Sequence, residues 1–285
     1  MSKLKEFKVR IDSVKKTRKM TQAMKMVAAA KFKRASEKAI KFRSYQSHFE
    51  DLVKLVQKSD IDLPILKKNS SKNPLNIAIV ISSDRGLCGG FNSNVLKFAF
   101  NKLNGNTKTD LYIYGRKAIQ FFKTKPWPIQ KKEEGFTGRL TLENIKKELE
   151  PLVDKYIAGE INSIKIYYNE FGTALSSKLM EKQILPIENS DTDSVNLEKD
   201  DFFLEPSPEA ISKKVVNEYL VNTLYSAFLE SNAAEQGARM AAMDSATNNA
   251  GEMIQALTLL YNRQRQAIIT TELSEIVAGG EALLQ

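Results

Sequence analysis

The sequence predicts an α/β protein in which N- and C-terminal helical arms, paired as a long antiparallel two-helix coiled coil, flank a small open α/β domain of Rossmann-like type. Both ends of the 285-residue chain are long stretches almost free of proline and glycine. The middle alternates short β-branched runs with amphipathic segments, a pattern typical of an open sheet with helices on its faces. We place the divisions at residues 1–58, 59–206 and 207–285.

The N-terminal arm is predicted to be one helix from Leu4 to Gln57, because this stretch contains neither proline nor glycine. Its apolar residues recur at alternating spacings of three and four, as in a coiled-coil strand. A helix lying on a globular core is the alternative, but a core face of about 80 Å is implausible. The predicted seam consists of Leu4, Phe7, Ile11, Val14, Arg18, Thr21, Lys25, Ala28, Phe32, Ala35, Ala39, Phe42, Gln46, Phe49, Val53 and Val56.

Polar residues interrupt this seam between Arg18 and Lys25. Over the same turns Met20, Met24 and Val27 lie on a neighbouring face of the helix. We therefore expect the seam to slip locally onto that face.

The central segment predicts a small sheet with helices on its faces. The run Leu75–Ser82 is β-branched and typical of a buried strand. The other predicted strands are Asp110–Tyr114, Ser163–Tyr168, Ile184–Ile187 and Phe202–Leu204. Three helices are predicted: one that follows Asn92 and ends at about Leu103, and two that span Arg116–Lys123 and Leu142–Ile157. The polar stretches 67–73 and 189–201 are predicted to be a linker and a surface loop.

The C-terminal arm, from Ser207 to Gln285, contains no proline after Pro208 and is rich in strong helix formers. As one helix it would be about 115 Å long, and it would extend about 24 residues beyond the shorter first arm. An isolated helix with an apolar end would be unstable and adhesive, so we expect other subunits to enclose it. The apolar residues of this tip are Ile268, Ile269, Leu273, Ile276, Val277, Leu283 and Leu284.

The two arms carry opposite net charge. Residues 1–43 carry fifteen basic and three acidic side chains, whereas residues 207–285 carry five basic and nine acidic ones. The arms are therefore expected to pair base against acid. The basic stretch Lys15–Arg34 could instead contact phosphate backbones, but its charges occupy several helix faces, which favours solvated or partner-facing charge.

Composition narrows the possible chemistry. The single cysteine excludes an internal disulfide and a cysteine-rich metal site. The single histidine disfavours a metal site or a catalytic triad that depends on imidazole groups. No run of eighteen apolar residues occurs, so no segment is expected to insert into a membrane. We expect no catalytic centre, no metal site and no cofactor.

The loop Ser83–Asn92 follows a predicted strand and precedes a helix, where α/β sheets bind phosphates. It matches neither the dinucleotide pattern nor the Gly-Lys-Ser/Thr phosphate loop. We therefore expect Gly86, Gly89 and Gly90 to make a tight turn with positive φ.

Three side chains near this loop have simple expected roles. Asp84 and Arg85 are expected to pair with each other or with a partner surface. Cys88 is expected to pack in the turn as a small side chain, and Trp127 to pack between two prolines.

Three stretches, in order along the chain, resemble the gamma-subunit family of F-type ATP synthases. They are RIDSVKKTRKMTQAMKMVAAAK at 10–31, SDRGLCGGFN at 83–92, and the tail containing ARMAAM at 238–243, ATNNA at 246–250 and LTLLYNRQRQAIITTELSEIV at 257–277. The resemblance covers both arms fully and the central segment in outline.

This resemblance implies a non-catalytic rotor shaft, present in one copy per complex. The coiled coil would turn inside a ring of alpha and beta subunits, and the α/β domain, with the epsilon subunit, would sit on the membrane-embedded c-ring. The delta subunit would belong to the same complex, with no nucleic acid partner. Proton flow would drive rotation, and the shaft would force the beta subunits through states that bind, form and release ATP.

The resemblance also assigns residues. Met24 and Lys25 on the first arm, with Arg239, Gln266, Thr270 and Glu272 on the second, would face moving loops of the beta subunits. The apolar tip would lie in a sleeve at the top of the ring.

The sequence departs from the family pattern at Gln236-Gly237, where the glycine slightly weakens the helix. It also departs at Gly279-Gly280-Glu281, which makes the packing of the tip less well defined. Plastid members carry an extra cysteine-containing regulatory segment, so with Cys88 alone thiol control is expected to be absent. No transit peptide precedes Ser2, which favours a peripheral location on the cytoplasmic side of a bacterial inner membrane.

Two other functions are consistent with parts of the sequence. A basic coiled coil could bind nucleic acid, in which case binding to a polyanion would fall steeply with salt. An α/β enzyme could bind a nucleotide through the Gly86–Gly90 loop, in which case the isolated chain would bind ATP tightly.

Overall fold

The computed structural model describes residues 2–58, 64–66, 75–105, 108–173, 176–187 and 207–282. The helices are α1 (Ser2–Lys58), α2 (Phe91–Leu103), α3 (Arg116–Phe122), α4 (Leu142–Ile157) and α5 (Pro208–Ala282). The strands are β1 (Leu75–Ile81), β2 (Thr109–Tyr114), β3 (Ile129–Glu133), β4 (Ile161–Phe171) and β5 (Ser177–Leu185). Short 3₁₀ turns span Pro64–Leu66 and Phe136–Arg139.

The five strands form one mixed sheet in the order β3-β2-β1-β4-β5. The strands β1, β2, β3 and β4 run parallel, and β5 pairs antiparallel with β4 at the edge. The chain order reverses at β1, which has β2 on one side and β4 on the other. The fold is therefore the predicted one, in which a long N-terminal helix precedes a small α/β sheet in the chain and a long C-terminal helix follows it.

The chain separates into two compact units. The larger, residues 29–239, contains the sheet. One face of this sheet packs against α4 and the terminal helices, through residues such as Ile79, Ile145, Val53 and Leu224. The other face packs against α2 and α3, with Trp127 buried in that cluster at 6% exposure. The expected packing of Trp127 is confirmed.

One tight approach fixes the end of β2. Gly115 has φ +99°, and a Cβ there would lie 2.2 Å from the backbone oxygen of Ser82. Only glycine fits such a position. The Ser82 hydroxyl accepts a hydrogen bond from Ala118 N at 2.9 Å, which fixes the start of α3 beside the end of β1.

The smaller unit consists of residues 1–28 and 240–285, where segments of α1 and α5 run antiparallel. Thr247 Oγ1 donates to Thr21 Oγ1 at 2.8 Å, and Lys25 Nζ lies 2.6 Å from Asp244 Oδ1. A Cβ at Gly251 would lie 3.6 Å from the Arg18 guanidinium, which is ordinary van der Waals contact.

The predicted seam of α1 is confirmed in outline: of its sixteen positions only Arg18 is exposed. The predicted slip is wrong, since Met20 and Val27 are 59% and 57% exposed. The seam keeps its register because Thr21 and Lys25 satisfy their polar groups across the helix pair. These hydrogen bonds remove the cost of placing polar residues at the seam.

The strand predictions were less complete. The edge strand β3 was missed, and β5 begins at Ser177 rather than at Ile184. The predicted strand Phe202–Leu204 and the predicted loops at 67–73 and 189–201 lie outside the described residues.

Candidate partner-binding site

The loop that follows β1 is held to the neighbouring strand ends by Asp84. Its carboxylate accepts hydrogen bonds from Arg116 N at 3.2 Å and from Gly135 N at 3.0 Å. Asp84 thus joins the segments that follow β1, β2 and β3. This differs from the first expected alternative, a pair of Asp84 with Arg85. The second, contact with a partner surface, stays a prediction for Arg85, which is exposed.

Inside the loop, a buried polar network fixes the backbone. Asn92 Oδ1 accepts from Ser83 N at 3.0 Å, and Asn92 Nδ2 lies 3.1 Å from Cys88 Sγ. Ser83 Oγ donates to Arg85 O at 2.6 Å. Cys88 is buried, as expected, and burial raises the pKa of its thiol. The loop is therefore rigid at its base.

The turn itself differs from the expected glycine turn. Among the three loop glycines only Gly89 has positive φ, at 55°. Gly90 lies at φ −80° and caps α2. The other positive φ belongs to Leu87, at 62°, whose side chain is 61% exposed. A non-glycine residue in this region is under strain, so the fixed loop holds an apolar side chain outward at some cost.

Arg239 clamps this loop to α5. Its guanidinium pairs with Glu235 Oε1 at 2.8 Å, and the two side chains are only 12% and 13% exposed. It also donates to Arg85 O and Gly86 O, both at 3.4 Å. Burial raises the pKa of the Glu235 carboxyl, and Arg239 offsets part of that rise. The side chain expected to face a partner is thus folded back onto the chain's own loop.

A second buried carboxylate, Glu230, joins three elements. It accepts from Arg43 Nη2 at 2.8 Å and 2.9 Å, from Arg43 Nε at 3.1 Å and from Phe171 N at 3.0 Å. Arg43 Nη2 in turn donates to Phe171 O at 2.9 Å. The Glu230 side chain is 5% exposed. It connects α1, α5 and the end of β4.

In the smaller unit, Met24 and Lys25 lie half-buried on α1. Lys25 is paired with Asp244, and the two side chains are 42% and 46% exposed. This pair is the most direct contact between the basic and acidic arms in that unit. The ammonium group is thus satisfied within the chain, while the accessible edge of the pair remains available to a partner.

Gln266, Thr270 and Glu272 are exposed on α5. Thr270 Oγ1 donates to the backbone oxygen of Gln266 at 3.0 Å, so these two residues share one turn. Gln266 lies about 33 Å along α5 from Asp244, the partner of Lys25. The predicted contact residues are therefore spread along the helix rather than gathered in one site.

The tip is apolar and uncovered. Ile269, Leu273, Ile276 and Val277 are 47%, 58%, 70% and 61% exposed. Ile268 is half-buried, whereas Leu259, nine residues earlier on α5, is 72% exposed. Leu283 and Leu284 lie outside the described residues. Rows of exposed apolar side chains on a helix are typical of surfaces that bind a partner.

Sequence reasoning missed Glu230, Glu235 and Arg43. The spacing of Glu235 and Arg239 by four residues is a signal for a helical ion pair. Nothing in the local sequence distinguishes Glu230 or Arg43 from solvated charges, because their contacts are between residues far apart in the chain.

The fold, with long terminal helices and a small α/β sheet, is similar to that of central-stalk chains in solved ATP synthases. A similar fold occurs in the rotor of the Euglena gracilis mitochondrial ATP synthase, with TM-score 0.68, 18% identity and coverage of 94% of this chain and 99% of that one. The central stalk of the Tetrahymena thermophila mitochondrial ATP synthase matches with TM-score 0.59, 23% identity and coverage of 80% and 99%.

Sequence comparison identifies the family. The family described as ATP synthase matches residues 3–283. The ATP synthase gamma chain of Chlorobaculum tepidum is 40% identical over 296 residues, covering 100% of both chains. The chain belongs to the ATP synthase gamma-chain family.

Proposed function

We propose that this chain is the non-catalytic central-stalk subunit of an F-type ATP synthase and that it transmits rotation of a proton-driven c-ring to the catalytic alpha and beta subunits. The observation that carries this proposal is the full-length match to a gamma chain at 40% identity. The three divisions 1–58, 59–206 and 207–285 are its proposed functional parts, two arms and a central domain.

The apolar tip is proposed to turn in a sleeve made by the alpha and beta subunits. Its support is the exposure of Leu273, Ile276 and Val277, since a helix with such a face is stable only when enclosed. A sleeve for a turning shaft should itself be apolar, because specific ion pairs would have to break at every step.

Met24, Lys25, Gln266, Thr270 and Glu272 are proposed to contact moving loops of the beta subunits. Gln266, Thr270 and Glu272 are exposed, as this role requires. Lys25 would contribute from an ion pair that is already oriented by Asp244.

Arg239 is proposed to contribute to that contact indirectly. It fixes the loop that presents Arg85 and Leu87, and those two side chains are exposed. The loop residues Asp84, Gly86, Gly89 and Gly90 are proposed to serve as its frame.

The central domain is proposed to bind the epsilon subunit and to sit on the c-ring, with the delta subunit elsewhere in the same complex. The proposed location is the cytoplasmic side of a bacterial inner membrane, attached through the other subunits. None of the helices in the described part of the chain has the length and apolar character that spanning a bilayer requires.

The test is purification of the complex from native membranes through an affinity tag on this chain, followed by identification of every subunit. The proposal expects alpha, beta, delta, epsilon and c subunits to copurify, with this chain in one copy. Recovery of the chain alone, or with nucleic acid, would contradict it. A chain that binds ATP tightly by itself in equilibrium dialysis would favour the nucleotide-using enzyme instead.

A further inference from the structure

In this chain, α5 packs at the edge of the sheet where open α/β sheets usually bind a ligand. In open α/β sheets, ligands bind beyond the carboxyl ends of the strands where the chain order reverses, which here is between β1 and β4. The end of β4 contacts α5 through Phe171, whose N–H donates to Glu230. The loop after β1 contacts α5 through Arg239. Helix α5 therefore occupies the usual ligand position.

Most of the contact between α5 and the sheet is apolar. The Phe228 ring lies 5.0 Å from the Tyr114 ring and 4.9 Å from the Phe136 ring, centroid to centroid. Apolar burial is strong but non-directional, so it resists separation of a helix from a sheet better than it resists rotation of the helix about its own axis. A shaft that carries torque needs directional contacts as well.

Two polar contacts in the larger unit provide directional hydrogen bonds between α5 and the sheet with its loops. One is the Arg239 clamp on the loop after β1. The other is the junction of Arg43, Glu230 and Phe171, which we call the carboxylate junction. Its four hydrogen bonds to one buried carboxylate measure 2.8 to 3.1 Å. A planar guanidinium held on a carboxylate gives geometric specificity as well as energy.

The carboxylate junction differs from the other polar contacts around it. Gln46 Nε2 donates to Thr223 Oγ1 at 3.0 Å and joins only α1 to α5. Lys182 and Glu50 join β5 to α1 at 3.2 Å with both side chains about a third exposed or more. Among these side chains only Glu230, on α5, is both buried and hydrogen-bonded to another helix and to the sheet.

We infer that Arg43 and Glu230 are positioning residues for the coupled reaction, which lock the helix pair at a fixed angle to the sheet so that torque passes between them. This inference rests on the proposed rotor function. In the carboxylate junction, any turn of α5 against the end of β4 must stretch the bonds from Phe171 N and Arg43. The junction therefore acts as a torsional stop between the central domain and the arms.

The test measures torsional stiffness in the assembled ATP synthase. A bead is attached through a cysteine introduced at Lys132, an exposed residue of β3 on the sheet, in a Cys88→Ala background. In a second preparation the bead is attached at Glu37, an exposed residue of α1. The angular spread of the bead is recorded while the complex pauses between steps.

Glu230→Gln should widen the angular variance of the bead on Lys132 roughly twofold, because the amide keeps one acceptor oxygen but turns a donor against Arg43 or Phe171 N and so weakens one of the two directional links between α5 and the sheet. The bead on Glu37 should show no change. Arg43→Lys keeps the charge but loses the planar fork, so it should widen the variance at Lys132 by a smaller factor. If Glu230→Gln fails to assemble, the Arg43→Lys complex carries the test.

Ile145→Val is the control, since it loosens the buried core of the same domain without touching the carboxylate junction. An unchanged variance in both junction variants would overturn the inference. So would an equal widening in the Ile145→Val complex, or a widening at both bead positions. A wild-type complex that hydrolyses ATP while both beads stay still would instead refute the proposed rotor function.

Discussion

Replacement of Arg239 by methionine should destabilise the larger unit by about 3 kcal/mol at neutral pH. The guanidinium and the Glu235 carboxylate are 2.8 Å apart and nearly buried, and removing one partner of a buried pair costs about 3–5 kcal/mol. The lower value is expected because Glu235 can take up a proton instead. The two 3.4 Å bonds to loop carbonyls are long and add less than about 1 kcal/mol.

The cost should grow as the pH rises. Burial already raises the pKa of Glu235 above its ordinary value of 4.5, and loss of Arg239 should raise it further. A carboxyl with a raised folded-state pKa contributes stability that is present below its unfolded pKa and is lost as the pH rises through the folded pKa. The difference between wild type and Arg239→Met should therefore increase as the pH rises above the ordinary glutamate pKa of 4.5.

Urea unfolding followed by tryptophan fluorescence measures this directly. Trp127 is the single tryptophan and is buried on the opposite face of the same sheet, so it reports unfolding of the sheet without touching the clamp. The Lys147→Met variant is the control, because it removes an exposed ion pair with Glu143 that is worth less than about 0.5 kcal/mol.

Combining Glu235→Gln with Arg239→Met should recover much of the lost stability, because no buried charge remains. The reasoning fails if the cost of Arg239→Met is the same at every pH and also the same in the Glu235→Gln background. That result would assign the effect to lost packing of the arginine stem rather than to the stranded carboxylate.

Three further predictions address the fold and the contact residues. Gly115→Ala should cost more than about 4 kcal/mol or abolish folding, whereas Gly105→Ala, at φ +91° with nothing within 4 Å, should cost about 1–2 kcal/mol in urea unfolding. Lys25→Gln should change unfolding stability by less than about 1 kcal/mol, because both side chains of its ion pair are more than 40% exposed, so lower ATP turnover would mark a partner contact. Gln266→Ala with Thr270→Ala should lower turnover of the complex roughly fivefold, equivalent to about 1 kcal/mol, with assembly unchanged.

Each of these has a clear contrary result. Equal costs at the two glycines would mean that backbone strain alone, and not contact with Ser82, fixes the end of β2. A large stability loss in Lys25→Gln would make that residue structural. For the double variant, Gln255→Ala serves as an exposed control on α5. Failed assembly with normal turnover in the complexes that do form would show that Gln266 and Thr270 are structural contacts.

The helices and buried strands could be read from sequence because their periodicity is strong. The seam from Leu4 to Val56 and the helix Leu142–Ile157 were predicted with their bounds nearly correct. The strand β3, IQKKE, was missed because it is charged and lies at the sheet edge. Edge strands of this kind lack the apolar signal of a central strand.

The sequence located the loop after β1, but it did not predict the conformation of that loop or its contact with Arg239. The sequence indicated a turn at Gly86–Gly90, yet the positive φ of Leu87 depends on the Ser83 and Asn92 hydrogen bonds that hold it. Likewise the burial of Glu230 depends on Arg43, 187 residues away. Contacts of such separation leave no trace in local pattern, so the internal role of Arg239 emerged only from the structure.

The most direct test of the central claim is observation of a bead attached to the central domain at Lys132 while the surface-fixed complex hydrolyses ATP. The account predicts continuous rotation in one direction, with the alpha and beta subunits held still. A complex that hydrolyses ATP at its normal rate while this bead remains stationary would contradict the assignment of the chain as the turning shaft.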